Sequence, residues 1–307
     1  MGLDQIVFIF LIVFAIRAVF ASNLKNAIIS SSIFGLWASL VYLLYHAPDV
    51  AVSEAVVASS LGTVLLILAI RNYGDVTVPG IRQMVLRRIG VDLLMLGVCV
   101  LVLALTIRLP DAGMGALRES VMEIYLESPR TVNPVTSILL HYRAFDTVLE
   151  ALMLLIAVIG VTHLIEVGGV DSRAVDGYGL LAERHPTIVK ALQILTPILV
   201  ILGLGLVTGD PLTPGGGFQG AGLLAAVVVS RYLVGGVRQG RDTKALETLE
   251  KVVFVVFVLS VAAYIFLGVR QQAPEAYAPF MLAMNGLLGL KVFCGLSIMF
   301  LYFARES

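Results

Sequence analysis

The chain has 307 residues, 59% of them hydrophobic and only 14% charged, and its mean hydropathy is +0.96. A soluble domain carries nearer a quarter charged residues, so the composition excludes a soluble globular protein. Twenty-one basic residues balance 21 acidic ones, and the net charge of zero excludes nucleic acid as a partner class. The apolar runs are long and continuous rather than alternating at period two, which excludes a β-barrel and predicts an all-α polytopic membrane protein. Cys99 and Cys294 lie in apolar runs without a CxxC partner and read as packing residues. Neither zinc nor iron–sulfur ligation by this chain is expected, and no resident cofactor is implied.

At about 20 apolar residues per span, nine transmembrane helices are predicted: 5–20, 27–45, 50–70, 91–109, 145–165, 188–208, 218–233, 252–269 and 280–303. The first run reads as a span that stays in place rather than a cleaved signal. Segment 133–142 is too short to cross alone and reads as a short helix or a broken lead-in to the fifth span. Alternate connections place Lys25, Arg71, Arg82, Arg87, Arg88, Arg173, Arg184, Lys190, Arg238, Arg241, Lys244, Lys251 and Arg305 on one side, against Arg108, Arg118, Arg130 and Arg270 on the other. The positive-inside rule then predicts an outside N-terminus and a cytoplasmic C-terminus. The longer connections 74–88 and 168–185 divide the chain into a three-helix unit (1–75), a two-span unit (76–170) and a four-helix unit (171–307).

Four polar constellations interrupt the apolar spans. The first is Ala-Pro-Asp-Val-Ala-Val-Ser-Glu-Ala at 47–55. Pro48 suits a first helical turn, and Asp49 then reads either as a charge at the positive end of a helix or as a pathway carboxylate. Glu54, one and a half turns deeper, lacks that capping role and is a candidate functional carboxylate. His46 reads as interfacial, whereas Arg17 lies deep in the first span.

The second is His-Tyr-Arg-Ala-Phe-Asp-Thr-Val-Leu-Glu at 141–150. Arg143, Asp146 and Glu150 are spaced three and four apart and share one helical face. An ionisable group near a bilayer centre costs at least about 2.5–3.5 kcal/mol, so the default reading is an ion or proton path. Arg143 would hold Asp146 charged, and Glu150 would be free to titrate. Interfacial snorkelling of Arg143 with Asp146 as its partner is the alternative. His163, with Glu166, reads as a proton exit or as an ordinary polar helix end.

The third is Gly-Asp-Pro-Leu-Thr-Pro-Gly-Gly-Gly-Phe-Gln-Gly-Ala-Gly at 209–222. Gly-Lys-Ser/Thr is missing and no strand precedes it, so it is not a phosphate loop. Gly215, Gly216, Gly217 and Gly220 suit close backbone approach, and the run from Thr213 and Pro214 through Phe218 and Gln219 reads as a re-entrant or packing loop. Thr213 and Gln219 are polar contacts for a pathway. The fourth is Lys291, near the middle of the last span, read either as a proton carrier or as one half of a static ion pair with a carboxylate elsewhere, such as Glu150 or Glu54.

These motifs carry a family resemblance. Thr-Pro-Gly-Gly-Gly-Phe-Gln-Gly at 213–220, inside a four-span block, resembles the MnhB/MrpB subunit of Mrp-type multisubunit Na+/H+ antiporters. The 47–55 run looks like the small three-helix unit in the carboxyl part of the large antiporter subunit, which also occurs free in membrane-bound hydrogenases. The 133–150 stretch is similar to the unit that follows it in both systems. The order implies a fusion of MbhD-like, MbhE-like and MnhB/MrpB-like subunits, with Ala221 standing where many relatives carry a glycine. No large proton-pumping domain precedes the first two units, which favours a hydrogenase- or sulfane-reductase-type complex over a plain Mrp antiporter. The resemblance implies a non-catalytic subunit of the cell membrane, with Na+ and H+ as transported ions. Implied partners are MnhC-, MnhE-, MnhF- and MnhG-like small subunits, a large antiporter-like subunit and a hydrogenase-type peripheral redox module. The other readings are a helical scaffold whose charges are static pairs and a stand-alone transporter.

Overall fold

A computed structural model describes residues 2–71, 97, 98, 100, 101, 104, 134–167, 186–209, 215–235, 241–266 and 277–306. The described residues form helices and connecting turns, with no strand among them. In chain order these are α1 (Leu3–Val19), α2 (Leu24–Leu44), α3 (Pro48–Ser53), a π-helical stretch π1 (Glu54–Gly62), α4 (Thr63–Arg71), α5 (Pro134–Ser137), a second π stretch π2 (Ile138–Tyr142), α6 (Ala144–Val167), α7 (Pro186–Gly209), α8 (Gly217–Gly235), α9 (Arg241–Phe266) and α10 (Tyr277–Glu306). Six helices are long and apolar enough to cross a membrane among the described residues: α2, the continuous α3–π1–α4 rod, α6, α7, α9 and α10. Shorter apolar helices α1 and α8, of 17 and 19 residues, accompany them. The fourth expected span, 91–109, lies almost wholly outside the described residues, as do connections 74–88 and 168–185.

One helix organises the rest. Within its most apolar window α10 is 78% buried, against 6–28% for the other five spans. Helices α6, α8 and α9 pack around it, α7 packs on α8, and α2 packs on α1 and on the α3–π1–α4 rod. The outer helices leave large apolar side chains exposed, including Ile12, Leu43, Met153, Ile201 and Leu259. Without a hydrophobic drive between helices in lipid, close contact has to come from small residues and polar bonds. Glycines meet that need on α8. A Cβ at Gly220 would lie 2.5 Å from the Gly203 carbonyl oxygen, and one at Gly217 would lie 2.6 Å from the Asn285 carbonyl oxygen. Gly222 faces Val56 and Val57, so the first unit seats on α8 through π1.

The π stretches are the main departure from the sequence expectation, which contains a single strong helix break at the glycine run. A wider i→i−5 turn leaves backbone carbonyls without good helical partners. Hydroxyls supply them. Ser32 and Ser39 of α2 donate to the carbonyls of Ser59 and Ala51, each at 2.7 Å, while Ser60 donates to Ala55 at 2.8 Å. In π2 the Arg143 amide reaches back five residues to Ile138 at 2.8 Å, and Thr147 Oγ1 donates to the Leu139 carbonyl at 2.8 Å.

Candidate functional site: an intramembrane polar cavity

The two π stretches and the N-terminus of α8 converge on a cavity of about 300 Å³. Ser53 and Val57 line it from the first rod, Thr136, Thr147 and Glu150 from the second unit, and Gly215–Gly217, Gln219 and Asn285 from the third. Its volume accommodates several waters. Among the described lining residues Glu150 alone is ionisable. The rest of the polar lining consists of hydroxyls, amides and glycine backbone, an oxygen-rich set of the kind that suits hard monovalent cations.

Asn285 builds the floor. Its Oδ1 accepts from the Gly217 amide at 2.7 Å, and its Nδ2 donates to the Val207 carbonyl at 3.0 Å, tying α7, α8 and α10 together. Gln219 Nε2 donates to the Asp49 carbonyl at 3.3 Å and couples the glycine run to the start of α3. Asp49 is itself buried in that first turn, with the Gly215 backbone against its carboxylate and Oδ1 lacking a hydrogen-bond partner among the described residues. Glu54 opens π1 half-buried, its carboxylate beside Gly35 of α2 and the Ser59 hydroxyl.

Not every residue singled out in the sequence reaches this cavity. Arg143 and Asp146 form an exposed ion pair of 2.6 Å, with side chains 62% and 47% exposed, at the start of α6. Glu150 follows on the same helix, one turn deeper, at the cavity edge. His163 lies exposed towards the far end of α6, and the Glu166 side chain falls outside the described residues. Thr213 and Pro214 also fall outside them, whereas Gly215, Gly216, Gly217, Phe218 and Gln219 line the cavity and Gly220 packs on α7. Arg17 lies 5.9 Å from the Phe14 ring, and His46 takes φ 58° where the chain turns from α2 into α3.

Lys291 requires a correction. Its partner is neither Glu150 nor Glu54 but Glu250 of α9, with Nζ to Oε1 at 3.4 Å and both side chains fully enclosed. The apolar pattern misses Glu250 because the eighth apolar run starts at residue 252, whereas α9 begins well before it, at Arg241. The sequence does hold a usable signal. Glu250 is in helical phase with the buried stripe Val253, Phe257, Val261 and Tyr264. Asn285 stands out in the sequence only as part of the Lys291 segment. His141, in π2, meets the Tyr264 hydroxyl through Nδ1, another polar contact between the second and third units.

Fold and cavity together define a multi-pass helical membrane protein whose α3–π1 rod, α5–α6, α8 and α10 meet at one cavity. Residues 9–75 match the MbhD family of MBH subunits, and residues 187–301 match a domain related to the MnhB subunit of the Na+/H+ antiporter. The chain thus carries, in this order, a region that matches the MbhD family and a domain related to MnhB.

Similar proteins include an uncharacterized protein, MJ1307, of Methanocaldococcus jannaschii, 31% identical over 166 residues that cover 48% of this chain and 62% of the relative. A putative antiporter subunit mnhA2 of Staphylococcus haemolyticus is 28% identical over 168 residues, 53% of this chain and 20% of the relative. The chain thus spans less than two thirds of the length of either. The fold is similar to a chain of the Mrp complex of Dietzia sp. DQ12-45-1b, with a TM-score of 0.72, 18% identity and coverage of 97% of this chain and 35% of that one. It is also similar to a chain of the membrane-bound sulfane sulfur reductase, an archaeal respiratory membrane complex, with a TM-score of 0.51, 22% identity and coverage of 70% and 96%. Mrp subunit families are components of transporters rather than catalytic enzymes.

Proposed function

We propose that this chain is an ion-path subunit of a cation/proton antiport module in the cell membrane, with Na+ and H+ as the exchanged ions and no catalytic step of its own. One observation carries the reading: a carboxylate, Glu150, itself exposed, stands at the edge of a largely apolar cavity that also presents hydroxyl, amide and glycine-backbone oxygens from the α3–π1 rod, α5–α6, α8 and α10. A charged side chain at membrane depth is tolerated where it faces a bundle interior or a water-filled path. Glu150 supplies the charge, and Thr147, Ser53, Gln219 and the glycine backbone supply neutral oxygens for a partly hydrated cation. The exposed Arg143–Asp146 pair lies at the entrance end of α6. The partners under this reading are MnhC-, MnhE-, MnhF- and MnhG-like small subunits and a large antiporter-like subunit. A peripheral redox module of hydrogenase or sulfane-reductase type is the further partner this reading proposes.

The experiment is capture of the tagged chain with whatever assembles on it, reconstitution into vesicles, and measurement of sodium movement driven by an imposed pH gradient. Sodium movement that needs the pH gradient supports the reading, and its absence from an intact assembly sinks it. A scaffold role is the second reading, favoured by the enclosed Glu250–Lys291 pair, which is satisfied in charge within this chain alone. Under that reading Glu150→Gln disturbs assembly but leaves sodium flux through the assembled complex intact.

A further inference from the structure

The cavity leaves one enclosed polar cluster unused. Glu250 and Lys291 face each other between α9 and α10, at 1% and 0% exposure. Apart from the contact between them, the described residues offer no hydrogen-bond partner to Lys291 Nζ or to either Glu250 carboxylate oxygen. Ser297, six residues further along α10, also has a buried hydroxyl without a partner among the described residues. One turn before Glu250 on α9, Glu247 accepts from the Tyr302 hydroxyl at 2.7 Å. Lys291 lies six residues from Asn285, about 9 Å along the helix at 1.5 Å per residue, so the cluster begins about two turns from the cavity floor.

We propose that Glu250 and Lys291 form a proton-relay site in the MnhB-related region, separate from the Glu150 cavity and continued through Ser297, Glu247 and Tyr302 towards the Arg241 end of α9. The inference rests on the antiport reading above and names where its protons run. A buried pair kept only for structure has its remaining donors and lone pairs satisfied, because the desolvation of two charges is otherwise not offset. An ammonium has three donors and a carboxylate about four acceptor sites. Here the contact is 3.4 Å, longer than the 2.7–2.9 Å of a formed charge-assisted bond, and the described residues leave the other sites unpaired.

Such a pair has two forms of equal net charge. Moving one proton from Lys291 Nζ to a Glu250 oxygen converts ammonium and carboxylate into amine and carboxylic acid, and no electron moves. The acid then passes that proton towards Glu247 through water or the Ser297 hydroxyl. The amine takes up a new proton from the cavity side, which restores the starting pair. The surroundings suit this exchange. Among the described residues, helix α9 adds Glu247 and Lys251 as charged neighbours, α10 adds Cys294 and Tyr302, and α6 packs Leu154 and Val158 at Gly295 beside the Glu250 carboxylate.

The test uses the assembly captured with the full chain, in vesicles, and reads two fluxes. Sodium–sodium exchange reports the cavity, and pH-driven sodium movement reports proton coupling. In the double variant Glu250→Leu/Lys291→Met neither charge remains, so neither is left buried alone. A relay predicts that this variant keeps sodium–sodium exchange and loses pH-driven movement. Wild-type pH-driven movement in the double variant overturns the relay. If the double variant does not assemble, Glu247→Gln on a half-buried residue decides: reduced pH-driven movement with unchanged sodium–sodium exchange supports the relay, and both unchanged overturn it. Absence of both fluxes from the wild-type assembly is a failure of the antiport reading, distinct from either result.

Discussion

Gly217→Ala and Gly286→Ala make a matched pair that tests whether the glycine run is a packing device or a flexible loop. A Cβ at Gly217 would stand 2.6 Å from the Asn285 carbonyl oxygen, 2.9 Å from the Gly289 nitrogen and 3.0 Å from Asn285 Oδ1. Two of those atoms are backbone, so no side chain can swing aside and α8 must withdraw from α10. Forcing an extra methyl into such a contact costs typically about 1–3 kcal/mol. Stretching the 2.7 Å bond from the Gly217 amide to Asn285 forfeits up to about 1 kcal/mol more. The alanine recovers little at the first residue of a helix, so the net loss is about 2–3 kcal/mol. At Gly286, on α10 and one residue past Asn285, none of the described residues lies within 4 Å of the added methyl. There the substitution gains about 0.5–1 kcal/mol from lower backbone entropy. The assay is equilibrium unfolding of the purified chain in mixed micelles, followed by circular dichroism. Equal shifts for the two variants, or a stabilised Gly217→Ala, would refute the close approach of α8 and α10.

Other expectations follow from the same geometry. Ser32→Ala removes one of the two hydroxyls on the Ser59 carbonyl in π1, the other being Thr63 Oγ1 at 2.6 Å, and lowers stability by about 0.5–1 kcal/mol in the same assay; no change would mean that Thr63 alone satisfies that carbonyl. Arg143→Gln removes an exposed pair and shifts the isolated chain by less than about 1 kcal/mol, so a loss of several kcal/mol would show that the pair is structural. Lys291→Met alone strands the Glu250 carboxylate and costs about 3–5 kcal/mol, and a neutral result would mean that Glu250 is uncharged in the folded chain.

Long continuous apolar runs make the helical architecture legible, because the bilayer leaves a backbone few other solutions. The glycine run at 213–220 carries the resemblance to MnhB, since close backbone approach restricts a position to glycine and leaves a recognisable pattern, and the 47–55 run carries the resemblance to MbhD. The π stretches are not legible. Their apolar residues keep an ordinary helical spacing, and the signal lies in the serines of a neighbouring helix, Ser32 and Ser39, which accompany the distortion from across a contact. Glu250 is hidden for another reason. Charge near a span end suggests a loop, although its phase with Val253 and Phe257 puts it on the buried stripe. Which charges meet is a matter of tertiary arrangement. Sequence spacing relates Arg143 to Asp146 within one helix, but it cannot bring Lys291 to Glu250 across 41 positions of chain.

The most direct test of the central claim is uptake of radioactive sodium by vesicles holding the captured assembly, with wild-type chain or with Glu150→Gln. The cavity account predicts that the variant assembles in wild-type yield and loses sodium uptake. Wild-type uptake by the Glu150→Gln assembly would contradict it and return the chain to a scaffold role.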